Sequence, residues 1–191
     1  MSINNKAPHL DKSIPMGKFR TVALFASQPV REALAQNHSA DYVPAFFSQI
    51  PGFIRNGVIP IDVSFIHVSP PDEHGFCSLG TSVECSLAAL QTAKYVIAQI
   101  NKQMPRTLGE GLIHYSAFDA AIEVDRLPYT NTIPPITKED EAIGQHCASL
   151  IPDGATIQTG IGGIPNAVLN CLKNHKDLGL HTELFSDGVI P

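Results

Sequence analysis

Two features of this sequence combine residue types and spacing suited to covalent chemistry. One is Glu183, within residues 180–185 (LHTELF); the other is the glycine-rich run Gly160, Ile161, Gly162, Gly163, Ile164 and Pro165. A carboxylate among apolar neighbours is costly to desolvate, so such placement often serves a reaction. From spacing alone, Glu183 fits an exposed or hydrogen-bonded strand residue as well. The glycines allow a tight turn and let backbone amides approach a ligand without Cβ obstruction. A helix starting at Pro165 would add unpaired N–H groups and positive potential for an anion or oxyanion. The loop departs from the dinucleotide fingerprint and lacks the Lys-Ser/Thr of a phosphate-cradling loop. A tight turn needed only for packing is the competing reading.

The elements around these residues alternate between strand and helix patterns. Residues 155–159 predict a short strand, 165–173 a helix containing Asn166, and 180–185 a second strand. Residues 138–150 predict a preceding helix, with Ile143, Cys147 and Leu150 on one face and acids in its first turn, where they favour the helix dipole. Upstream, residues 58–68 (VIPIDVSFIHV) and 95–100 (YVIAQI) read as strands, with a helix over 81–92 between them. Strand, helix, strand predicts parallel pairing. Helices are also expected over 28–36 and 45–56, the latter interrupted near Pro51, with short strands at 112–114 and 120–124. Residues 127–136 carry three prolines within LPYTNTIPP and no helical period, which suits a linker. The expectation is an N-terminal α/β domain over 1–126, a linker over 127–136, and the start of a second α/β domain over 137–191.

Composition excludes some classes. The 191 residues include 43% hydrophobic and 16% charged side chains, enough for a folded core. Thirteen Lys and Arg against eighteen Asp and Glu leave a net charge of −5 with no basic run, so nucleic acid is not an expected partner. The opening MSINNKAPHLDKS resembles no signal peptide, and no window reaches the ~20 apolar residues of a membrane span. Cys77, Cys85, Cys147 and Cys171 are scattered without a CxxC pair, so reduced thiols in a cytoplasmic protein are expected and no metal site is.

Four ordered motifs then point to a family. They are residues 68–78 (VSPPDEHGFCS), 101–107 (NKQMPRT), 160–168 (GIGGIPNAV) and 183–188 (ELFSDG). Together they resemble the acetyl-CoA hydrolase/transferase family, in particular its 4-hydroxybutyrate and acetate CoA-transferases, from about Lys6 onward. The resemblance implies two α/β domains with mainly parallel open sheets and helices on both faces. It implies a nucleophilic glutamate at Glu183 and coenzyme A contacts at Gly160, Ile161, Gly162, Gly163 and Ile164. It also implies ping-pong transfer through a glutamyl-CoA thioester, with acyl-CoA and a small carboxylate as substrates and no permanently bound cofactor. Family enzymes are more than twice as long, so the second domain is expected to be incomplete, and a homo-oligomer or dependence on the missing parts of the fold is expected. Thioester hydrolysis and an inactive assembly partner are the alternatives.

Other candidates have plainer readings beside the chemical one. Glu73 and His74 fit an acid and base pair or an exposed turn. Arg106 fits a carboxylate or coenzyme A phosphate, or an ion pair. His114 and His181 lie in apolar strand patterns and read as core histidines; Asp187-Gly188 reads as a turn.

Overall fold

A computed structural model describes residues 8–10, 17–36, 40–130 and 135–190. Lys6, where the family resemblance begins, and residues 131–134 of the expected linker lie outside the described residues. The chain divides into two compact units, Met1–Tyr129 and Thr130–Pro191.

Unit 1 opens with strand β1 (Thr21–Ala23), helix α1 (Gln28–Ala35) and strand β2 (Ala40–Tyr42), the two strands pairing in parallel. Pro29 lies in the first turn of α1, where its missing N–H costs nothing. Val30 and Ala33 bury the inner face of this helix against Ala23 and Leu10. Helix α2 (Ile50–Arg55) follows a 3₁₀ turn at Phe47–Gln49. Pro51 sits at the start of α2 rather than interrupting a longer helix, because a proline is tolerated only where no earlier carbonyl awaits its N–H.

Strand β3 (Val63–Val68) is shorter than the expected 58–68. Pro60 cannot donate to a ladder, and Ile59 and Ile61 pack instead around Ile50, Ile54 and Ala88. Strand β4 (Phe76–Ser78), which the sequence reading did not anticipate, precedes helix α3 (Ser86–Thr92) and strand β5 (Tyr95–Asn101). Here α3 starts five residues later than expected, since residues 81–85 form turns without a side-chain cap. After β6 (Leu112–His114) and β7 (Ala120–Val124), the main sheet has order β3-β5-β7, parallel throughout, with Val63 opposite Tyr95 and Ile97 opposite Ala120. Strands β4 and β6 pair antiparallel beside it as a separate ladder. Ile66, Val68, Cys77, Leu79, Val96, Ala98 and Ile113 form the core where sheet and ladder meet.

Unit 2 starts with helix α4 (Lys138–Ala148). Thr137 caps it reciprocally: its Oγ1 accepts from the Asp140 N–H at 3.1 Å, and Asp140 Oδ2 accepts from the Thr137 N–H at 3.0 Å. Strand β8 (Thr156–Ile157), helix α5 (Gly163–Cys171) and strand β9 (Gly179–Leu180) complete a small parallel unit. The expected apolar face of α4 is not its packed one: Gly144 and Ala148 are buried, while Leu150 is 83% exposed. Gly144 brings the two helix backbones together, and a Cβ there would fall 2.7 Å from the Ala167 carbonyl oxygen. Ala148, Leu169 and Leu172 make the core. Among the described residues, no helix is long and apolar enough to cross a membrane.

Candidate functional site

Both features singled out by their chemistry fall in unit 2. Strand β8 ends at Ile157, and the glycine run carries the chain into α5. Gly162 adopts φ 117° and ψ −170°, a backbone conformation that L side chains rarely accept, and thereby turns the loop into the helix. Helix α5 starts at Gly163, two residues before the expected Pro165, so the glycine run supplies its first turn. The Asn166 N–H reaches back to the Gly162 carbonyl at 3.2 Å. The N–H groups of Gly163 and Ile164 precede any intrahelical acceptor, and the partial positive charge of the helix start collects there. Ile161 and Ile164 are exposed. Asp140 of α4 packs on Gly163, its carboxylate 3.1 Å from where a Cβ would sit.

Glu183 lies beyond the strand expected to carry it. Strand β9 ends at Leu180, and one more ladder-like bond, from the His181 N–H to the Ile157 carbonyl at 3.0 Å, closes the pairing. The Thr182 side chain then takes over the backbone groups of Thr159. Its Oγ1 accepts from the Thr159 N–H at 3.3 Å and lies 2.8 Å from the Thr159 carbonyl and 3.0 Å from the Leu184 carbonyl. A side chain serving the partner strand's backbone ends the ladder and bends the chain, leaving Glu183 exposed on a bend. Further on, Ser186 Oγ donates to Asn166 Oδ1 at 3.4 Å, and Gly188 packs against Asn166 and Leu169. Asn166 is buried in α5. The segment bearing Glu183 is thus tied to the residue before the glycine run and to the helix after it. His181 is exposed, not a core histidine, because the strand stops before its side chain can turn inward. Asp187-Gly188 forms a short 3₁₀ turn.

The remaining candidates lie in unit 1. Asp72 Oδ1 accepts from the N–H groups of His74 (3.0 Å) and Phe76 (2.8 Å), closing the turn after Pro71. Arg106 spans it, donating to Asp72 Oδ2 at 2.6 Å and to the Phe76 carbonyl at 2.8 Å. The Phe76 and His74 amides, with help from the Arg106 charge, hold the Asp72 carboxyl below its ordinary range against the opposing effect of burial. Arg106 is therefore engaged within unit 1. Glu73 and His74 project from the turn, 86% and 74% exposed, with 3.7 Å between Glu73 Oε1 and His74 Nε2. Ser78 lies at the centre: its hydroxyl accepts from the N–H groups of Gly80 and Thr107, both at 3.0 Å, and donates to the Thr107 carbonyl at 2.9 Å. Ser69 Oγ accepts from the Ser78 N–H at 2.8 Å. His114 is half-buried, satisfied by Ser116 and stacked near Phe76 and Tyr115.

All four cysteines are unpaired; burial pushes the Cys77 thiol up, away from reactivity. No group of three or more His, Cys, Asp or Glu able to hold a metal occurs among the described residues. The sequence reading missed two contributors. Asp140 is foreshadowed by the Thr137-x-x-Asp140 capping pattern, and Thr182 by its position directly before Glu183.

Comparison with known proteins agrees with the motifs. Residues 3–134 match the acetyl-CoA hydrolase/transferase N-terminal domain. A 4-hydroxybutyrate coenzyme A transferase of Clostridium kluyveri is 47% identical over 173 residues, which cover 90% of this chain and 40% of that protein. A succinyl-CoA:acetate/propanoyl-CoA:succinate CoA transferase of Fasciola hepatica is 46% identical over 91% of this chain and 36% of its own length. Among solved structures, a 4-hydroxybutyrate CoA-transferase from Porphyromonas gingivalis superposes with a TM-score of 0.74 at 43% identity, covering 91% of this chain and 45% of that one. RipA from Yersinia pestis superposes with a TM-score of 0.82 at 32% identity, covering 90% and 41%. The chain thus spans about two fifths of the length of the curated relatives it matches.

Proposed function

The chain belongs to the acetyl-CoA hydrolase/transferase family, and on that premise we propose that it carries the nucleophile of an acyl-CoA:carboxylate CoA-transferase of the 4-hydroxybutyrate or acetate type. The observation that supports this most is the Thr159–Thr182 link, which holds the Glu183 bend beside the glycine run within one unit. A carboxylate is a weak nucleophile, so it needs donors that stabilise the oxyanion it creates. The first-turn amides of α5, at Gly163 and Ile164, are suited to that work, with Gly160 to Gly162 leaving room for coenzyme A.

In this reading a Glu183 oxygen attacks the thioester carbonyl, the C–S bond breaks, and coenzyme A leaves as thiolate. The resulting mixed anhydride is attacked at the Glu183 carbonyl by the thiolate, which expels the first carboxylate and leaves a glutamyl-CoA thioester. An incoming carboxylate reverses the two steps, departs as its CoA thioester and restores the Glu183 carboxylate. Coenzyme A and the acids are substrates, and no resident cofactor takes part. The working form in this proposal is a cytoplasmic homo-oligomer of two α/β domains per chain, or an assembly with further protein. Large apolar side chains left open to solvent, including Phe46, Phe65 and Leu127, support such contacts.

Incubation with an acyl-CoA followed by borohydride should reduce the glutamyl thioester and change the mass of the peptide containing Glu183. No change there, or unchanged turnover in Glu183→Ala, would remove this residue from the chemistry. Thioester hydrolysis is the second reading, favoured by the exposure of Glu183, which leaves water access to any intermediate. Release of coenzyme A that proceeds equally without acetate would select it.

A further inference from the structure

We infer that Thr182 is a positioning residue for Glu183, its hydroxyl fixing the glutamate's backbone against the entry to the glycine loop. The inference rests on the transferase reading and adds to it the group that sets the distance between nucleophile and loop. A hydroxyl has one proton and two acceptor sites. Here it accepts from the Thr159 N–H at 3.3 Å while its proton is shared between the carbonyls of Thr159, at 2.8 Å, and Leu184, at 3.0 Å. Thr159 directly precedes Gly160, whereas Leu184 directly follows Glu183. One oxygen therefore bridges the start of the loop and the carbonyl of the residue that follows the glutamate.

Backbone pairing cannot do the same work, because the ladder stops at the bond between His181 and Ile157. The next tie, Ser186 to Asn166, is longer at 3.4 Å and lies three residues from Glu183. Thr182 is half-buried, so its bonds are partly shielded from competing water, while Glu183 itself is exposed. The glutamate owes its location to its neighbour. All three bonds are made by the hydroxyl, so serine should replace Thr182 and valine, its near isostere, should not.

The test uses the full chain with acetyl-CoA as probe and two readouts: the rate of borohydride-trapped modification at Glu183, and hydrogen exchange in peptides covering residues 158–163. Thr182→Val should lower the trapping rate at saturating acetyl-CoA about a hundredfold, leave the half-saturating concentration unchanged and speed exchange, while Thr182→Ser should stay within about twofold of the unsubstituted chain on each. Unchanged trapping or exchange in Thr182→Val overturns the inference, as does a change confined to half-saturation or an equal loss in Thr182→Ser. If the unsubstituted chain is never modified at Glu183 while Thr182→Val still speeds exchange, the transferase reading falls and the hydroxyl keeps only a structural role. Trapping in the unsubstituted chain with exchange untouched by Thr182→Val leaves the transferase reading standing and removes Thr182 from it.

Discussion

Ser78 in unit 1 and Glu183 in unit 2 each sit within a motif that stands out in the sequence, yet their surroundings differ in kind. The Ser78 side chain is fully buried, with its hydroxyl bonded on several sides and its loop closed by the Asp72–Arg106 pair. Glu183 faces solvent on a bend whose tie to the glycine run passes through the Thr182 hydroxyl. The contrast separates two reasons for a sequence to be distinctive. Residues 68–78 and 101–107 interlock to hold unit 1 together; residues 160–164 and 183 are held by others and leave their own groups open. On the proposed function, stability and chemistry are thereby assigned to different residues.

That assignment can be broken by measuring urea unfolding of four variants. The largest loss is expected from Ser78→Ala, which strands the amides of Gly80 and Thr107 in a buried site and should cost about 3 kcal/mol. Gly80→Ala comes next, at about 2 kcal/mol, because Gly80 has φ +60° and a Cβ would collide with the Met104 side chain. Asp72→Asn should bring a smaller loss than either, by weakening the turn and its ion pair. The same carboxyl has a folded-state pKa below its unfolded value. Its contribution is therefore fully present above the ordinary carboxylate range and lost as pH falls through the depressed value. An acid titration of stability should lose that component in Asp72→Asn. Glu183→Gln should change stability least, within about 0.5 kcal/mol, while abolishing covalent capture. A destabilisation of 183 comparable to that of 78 would collapse the distinction.

Much of this arrangement is legible in the residues themselves. The β3–α3–β5 crossover follows from the β-branched runs and the apolar spacing between them, and the parallel register bears it out. The short β8–α5–β9 unit follows in the same way. What escaped are features decided by partners far along the chain. Strand β4 is only three residues long and owes its existence to β6, more than thirty residues away, so no local periodicity announces it. The packed face of α4 escaped because it is made by Gly144, a residue that hydrophobic spacing discounts. Glu183 was expected within a strand because LHTELF alternates plausibly, and the local pattern cannot reveal that the Thr182 hydroxyl replaces a ladder bond. The role of Arg106 depended on its closeness to Asp72, thirty-four residues earlier.

The contact at Gly144 has a consequence for how this unit tolerates change. Separation between α4 and α5 is set there by a missing atom, since the first carbon of any side chain would enter the space of the Ala167 carbonyl. Attractive contacts can be traded among many neighbours, but an empty volume has no substitute. Drift at position 144 would wedge α5 away from α4 and carry the glycine run with it, separating Gly163 from the Asp140 carboxylate. The alignment of the loop is therefore inherited from a residue that offers it no bond, and position 144 is one where variation in this unit meets a backbone it cannot displace cheaply.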